Sequence, residues 1–237
     1  MANSNEPDKI FIWKTVINSF HYLYGDAEHL HQLAKSPDLA KNFERVRLCR
    51  TALLLYILSS EALINRALDH FLPERSRQFI LDREEKFSVE DKWSLLALLS
   101  GDPNQQGVDK ATYPWSHFAE LIRIRNDYVH PKHDRHAYYK AITAKRLDCL
   151  DWKEIPEGLG IKETDLVYRQ MLIPKDPYGI LPEHVDKVKK VVDDSINGLD
   201  RLLGGKLLKD NWYRSDQLGL CYPPGATIAD LPPESTA

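Results

Sequence analysis

The chain has 237 residues, 43% hydrophobic and 28% charged, with a formal net charge of −3. Such a chain buries a sizeable core, which excludes a disordered tail and a disulfide-stapled miniprotein, and its near-neutral total gives no global electrostatic case for nucleic acid. Three scattered cysteines, Cys49, Cys149 and Cys221, without a CxxC spacing, fit a reduced, cytoplasmic protein. No glycine falls between Gly25 and Gly101, and prolines are absent from Asp38 to Leu72 and from Glu183 to Tyr222. Long helices are expected to fill those runs. The most apolar stretch, Ala52–Ile64, is interrupted by Ser59, Ser60 and Glu61 and is shorter than the ~20 residues of a membrane span, so no membrane association is expected. The first eight residues lack the basic start and apolar run of a signal peptide.

In chain order, a first helix is predicted from about Asp8 to Ala34, with Trp13, Val16, Ile17, Phe20, Leu23, Tyr24, Ala27 and Leu30 on one face. Ser36-Pro37-Asp38 restarts the chain as a cap, first-turn proline and first-turn acid, and a second helix extends to about Phe71 before Pro73. Ser88-Val-Glu-Asp, an acidic variant of a capping box, opens a third helix through Trp93, Leu96 and Leu99 that ends at Gly101-Asp-Pro-Asn. A fourth begins near Pro114 and stops before Pro131. Lys132–Leu181 is irregular: Ala141–Leu150 is open to helix, and Asp165–Ile173 to strand or loop. A last helix from Pro182 puts Val185, Val188, Val192, Ile196, Leu199 and Leu203 on one face and meets Gly204-Gly205, followed by a proline-rich strap. The expected architecture is one all-α bundle over residues 1–237, with core helices at about 8–131 and 182–204, an insertion at 132–181 and an extended tail at 205–237.

Two ionic residues interrupt the apolar seams. In the second helix Leu54, Ile57, Glu61, Ile64, Leu68 and Phe71 alternate by three and four; in the fourth Phe118, Leu121, Arg125 and Tyr128 do the same. A lone buried ion is costly, so the two helices are expected to pack with Glu61 holding Arg125. Pro131 disfavours helical geometry at His130, which frees its imidazole to swing toward Arg125, while Asn126, four residues earlier, is placed to orient it. A fixed guanidinium beside a histidine suits metal-free cleavage of an RNA phosphodiester, the imidazole moving the proton and the arginine neutralising charge on phosphate. One histidine does not easily serve as both acid and base, whereas a homodimer joining two such helix ends supplies both roles. From Arg123 to Arg146 seven Lys or Arg stand against two acids, so a positive segment, including Lys132 and Arg135 with His133, begins on this helix despite the total charge.

At Arg125-Asn-Asp-Tyr-Val-His130-Pro the sequence resembles the HEPN superfamily, whose ribonuclease members carry Arg, commonly a polar residue next, then His after four to six intervening residues. Leu53–Asn65, containing Glu61, is similar to the segment bearing the family's intrahelical acid. The resemblance covers about Ile10–Pro131 and leaves the insertion unexplained. It implies a helical bundle, a symmetric dimer with a composite site, metal-independent endoribonuclease activity leaving a 2′,3′-cyclic phosphate without a cofactor, and a role in toxin–antitoxin or antiviral systems with a regulatory protein partner. Some toxin members have a tyrosine two residues after the histidine; Lys132 stands there, so inactivation through that residue is not implied.

Other readings use the same residues. His130, His133, Asp134 and His136 resemble metal ligands, but Pro131 prevents a regular helix through them and Lys132 and Arg135 repel a cation. Lys41, Arg45, Arg47 and Arg50 form a second basic stretch, either solvated helix surface or part of an RNA groove, Arg45 being the candidate contact. Tyr138 and Tyr139, next to Lys140, are either base-stacking or ordinary tyrosines. The alternative to a nuclease is an inert dimeric interaction module in which Glu61 and Arg125 only support the core.

Overall fold

The computed structural model describes residues 12–14, 19–39, 43–74, 78, 80, 82–83, 86–98, 107–129, 160–209 and 220–222. They form an all-α core with four strands of two or three residues each. Helix α1, Ser19–Ala34, packs along α2, Phe43–Phe71, after a 3-10 turn at Pro37–Leu39. Phe20, Ala27, His31 and Ala34 are buried on α1, and its tyrosine and leucines at 24, 23 and 30 are half-buried. The N-terminal expectation is corrected: Ile12–Lys14 is a strand, β1, paired antiparallel with β4, Leu220–Tyr222, so that Trp13 lies opposite Cys221. Branched and aromatic residues suit a strand as well as a helix face, and an extended partner from the tail decides between them.

Helix α2 is central, touching every other long helix. It is the one described helix long and apolar enough to cross a membrane by length and composition, and half of that stretch is buried within the fold. Its two interrupting serines are satisfied internally: Ser59 donates to the Tyr56 carbonyl at 2.7 Å and Ser60 to that of Ile57 at 2.6 Å. Helix α3, Val89–Leu98, starts as the sequence foretold. The Asp91 amide donates to Ser88 Oγ at 3.1 Å and the Ser88 hydroxyl donates to the Asp91 carboxylate at 2.6 Å, which holds that carboxyl below its ordinary range with help from Lys110. Helix α4 spans Trp115–Val129.

Within the segment that carries no clear periodicity, a short helix α5, Glu163–Leu166, leads into a hairpin of β2, Val167–Tyr168, and β3, Ile173–Pro174. Asp165–Ile173 is therefore the end of a helical turn followed by a hairpin. The hairpin is tied to α4 by three polar contacts. Buried Glu120 accepts the Met171 amide at 2.7 Å, Asp127 accepts the Tyr168 hydroxyl at 2.9 Å, and the Tyr128 hydroxyl donates to the Pro174 carbonyl at 3.0 Å. Ala141–Leu150 lies outside the described residues.

Helix α6, Pro182–Leu202, buries the face expected of it, and Leu203 continues that face. Gly204 and Gly205 adopt positive φ, 65° and 78°, and the Gly205 amide closes on the Asp200 carbonyl at 2.8 Å, a geometry that favours glycine. At its other end His184 Nδ1 accepts the Leu181 amide at 3.0 Å, which requires that nitrogen to be unprotonated. Burial lowers the His184 pKa to about 4, Glu183 opposing and Lys187 assisting; burial foremost also lowers that of His31, whose Nε2 lies 3.1 Å from the Pro182 carbonyl.

An unfolded imidazole titrates near ~6.5, so between that pH and about 4 the unfolded chain binds protons that folded His184 refuses. Stability is accordingly expected to be level, as far as these groups act, above about pH 6.5 and to fall as the pH drops toward 4. Urea midpoints at about pH 7 and about pH 5 check this: the wild-type midpoint falls, and it falls less in His184→Gln, whose side chain has no proton to gain.

Candidate functional site

Helices α2 and α4 bring the two ionic seam residues together. Arg125 Nη2 donates to Glu61 Oε2 at 2.8 Å, with side chains 16% and 29% exposed respectively. The pairing matches the sequence reading; the burial is corrected, since both groups sit at the edge of the seam while Phe118, Leu121 and Ile124 fill its interior. That edge suits an ion pair, because the contact is shielded from bulk water while part of each head group stays hydrated. Arg125 Nε is buried and finds no hydrogen-bond partner among the described residues. Asn126 is exposed on the same last turns of α4, and Asp127 is used by Tyr168.

His130, Lys132, His133 and Arg135 lie outside the described residues, as do His136, Tyr138 and Tyr139. Among the described residues no group of three or more His, Cys, Asp or Glu side chains is arranged to hold a metal. Arg45 is half-buried and, at 100° per residue, stands about 160° around α2 from Arg47. Arg47 and Arg50 therefore do not form one continuous stripe with it; Lys41 lies outside the described residues.

The fold also assembles a polar cluster that sequence reading did not single out. Lys189 of α6 donates to the Tyr24 hydroxyl at 2.6 Å and to Asp193 at 3.0 Å; Tyr24 donates to Asp193 at 2.5 Å, and Glu28 lies 3.4 Å from Lys189. Burial opposes the charge on Lys189, but Asp193, Tyr56 and Glu28 together outweigh it and raise the pKa above its ordinary value. These groups edge an open cleft of about 480 Å³ between α1 and α6. The i,i+4 spacing of Lys189 and Asp193 was the one signal in the sequence; Tyr24 hides in an apolar stripe. No protein-family model matches this chain, and no curated protein or solved structure matches it either.

Proposed function

We propose that the chain is a HEPN-type, metal-independent endoribonuclease acting as a homodimer in the cytoplasm, in toxin–antitoxin or antiviral defence and under a regulatory protein partner. The observation that carries this reading is the Glu61–Arg125 bridge at 2.8 Å, which holds a guanidinium within the last turns of α4. Only one of its nitrogens is needed for that hold, and a planar fork with donors to spare is suited to phosphate. In the proposed reaction His130 takes the proton of the ribose 2′-hydroxyl and the 2′-oxygen attacks phosphorus. The bond to the 5′-oxygen breaks, His130 of the second copy protonates that oxygen, and a 2′,3′-cyclic phosphate and a 5′-hydroxyl result. Arg125 neutralises the negative charge that builds on the phosphoryl oxygens, Asn126 orients His130, and Lys132, His133 and Arg135 bind flanking phosphates.

The test is incubation of mixed RNAs with wild type, Arg125→Ala and His130→Ala in EDTA, with folding followed by circular dichroism. Wild type is expected to cleave, and folded His130→Ala to lose at least about a hundredfold in rate, the usual scale of a general acid or base. Equal cleavage by all three, or none by a folded wild type, overturns the nuclease in favour of the inert interaction module.

A further inference from the structure

The stripe of α2 that carries Glu61 extends in the other direction to the helix's first residue. Phe43, Arg47, Arg50, Leu54, Ile57 and Glu61 follow at alternating steps of four and three. Phe43 and Glu61 thus stand on one line along the helix, about 27 Å apart at 1.5 Å per residue. The middle of that line is apolar and packed; its beginning is not. Phe43 is 51% exposed and stacks on Tyr178, 54% exposed, with ring centroids 5.5 Å apart and planes 27° from parallel. The Arg47 guanidinium lies 5.0 Å from the Phe43 centroid and that of Arg50 lies 5.8 Å from the Tyr178 centroid. Two half-exposed rings and two guanidiniums thus share one patch of surface at the start of α2.

Tyr178 is held firmly. Its amide donates to Asp176 Oδ1 at 2.9 Å, the Gly179 amide donates to the Asp176 carbonyl at 2.9 Å, and the turn lies so close to β3 that a Cβ on Gly179 would sit 3.2 Å from Pro174 Cβ. The same Pro174 receives the Tyr128 hydroxyl from the last turn of α4. The loop from Pro174 to Tyr178 therefore joins the end of the helix bearing Arg125 to the first turns of α2. Among the described residues Glu44 reaches Arg47 at 3.6 Å, with both ends exposed, and such a pair is weak against a competing phosphate.

We propose that Phe43 and Tyr178, with Arg47 and Arg50, form a stacking platform that binds single-stranded RNA. An unpaired base stacks on a ring by taking the place of the guanidinium that lies over it, and the displaced guanidinium then pairs with the phosphates. Double-stranded RNA offers no free base faces, so the platform selects unpaired segments. The proposal rests on RNA being the substrate and supplies its class.

Fluorescence anisotropy of a fluorescein-labelled single-stranded oligouridine tests it, using the full chain carrying His130→Ala in EDTA so that binding is read without cleavage. Phe43→Ala and Tyr178→Ala are each expected to weaken binding by about tenfold, and Phe43→Trp to retain it. Arg47→Gln with Arg50→Gln is expected to flatten the salt dependence. Both rings are more than half exposed, so truncation leaves the buried core in place. Unchanged affinity in both alanine variants, or equal affinity for an RNA duplex, overturns the platform. If wild type cleaves RNA while the platform variants bind normally, the platform falls and the nuclease stands. If ring-dependent binding is seen without cleavage by wild type, the nuclease falls and the platform stands.

Discussion

Trp93→Ala is expected to destabilise the protein by about 4 kcal/mol, most of the stability of a domain at the low end of the usual range. Trp93 is 1% exposed and belongs to α3, which packs on α2, α4 and α6. Its ring lies 4.9 Å from that of Phe118 and 5.5 Å, edge-on, from that of Trp115. Trp115 in turn reaches Gly198 of α6, where a Cβ would sit 3.2 Å from its Cζ2. Truncation removes an indole from between two aromatic partners, and neither is free to collapse into the space, Trp115 being wedged against a helix backbone. Trp93→Phe keeps most of the contact and removes an indole N–H that has no partner among the described residues, so it is expected to cost far less. Urea denaturation of the three proteins gives the comparison. A Trp93→Ala midpoint equal to wild type would show that the cluster does not carry the packing of α3.

Glu61→Ala is expected to cost about 2 kcal/mol, between the scales of an exposed and a fully buried ion pair, since the two side chains are 29% and 16% exposed. The loss is mostly the stranding of Arg125, whose Nε already lacks a partner among the described residues and whose charge then has neither Glu61 nor full hydration. Glu61→Leu combined with Arg125→Leu removes both charges and is expected to recover stability to within about 1 kcal/mol of wild type. That recovery separates two roles of the bridge. A protein stable with two leucines but unable to cleave RNA has lost chemistry, whereas Arg125→Ala alone confounds unfolding with disarmament. If Glu61→Ala is as stable as wild type, the bridge contributes nothing measurable and its value in positioning Arg125 must be judged from rates alone.

The Glu61–Arg125 pairing was legible because a 3-4 apolar stripe admits few remedies for an ion: a partner of opposite charge on the facing helix, or exposure at the seam's edge. The structure uses both. Helix α6 was legible for a related reason, since Val185, Val188, Val192, Ile196 and Leu199 repeat without interruption and Gly204-Gly205 ends them with a backbone that side chains disfavour. The start of α3 was legible in four residues, Ser88 to Asp91, because a cap is a local contact.

Length, periodicity and punctuation determined by themselves that this chain is an all-α bundle and where most of its helices stop, and they singled out Glu61 and Arg125 as two ions in apolar seams. These follow from neighbours within a few residues, where helix geometry is fixed at 3.6 residues per turn. Only the tertiary structure decided that Ile12–Lys14 is a strand, since its partner Leu220–Tyr222 comes from the far end of the chain. Only it placed the Val167–Pro174 hairpin on α4 through Glu120, Asp127 and Tyr128, and stacked Tyr178 on Phe43. Those pairings join segments without shared periodicity, and their energy exists only once the chain has closed over the distance between them.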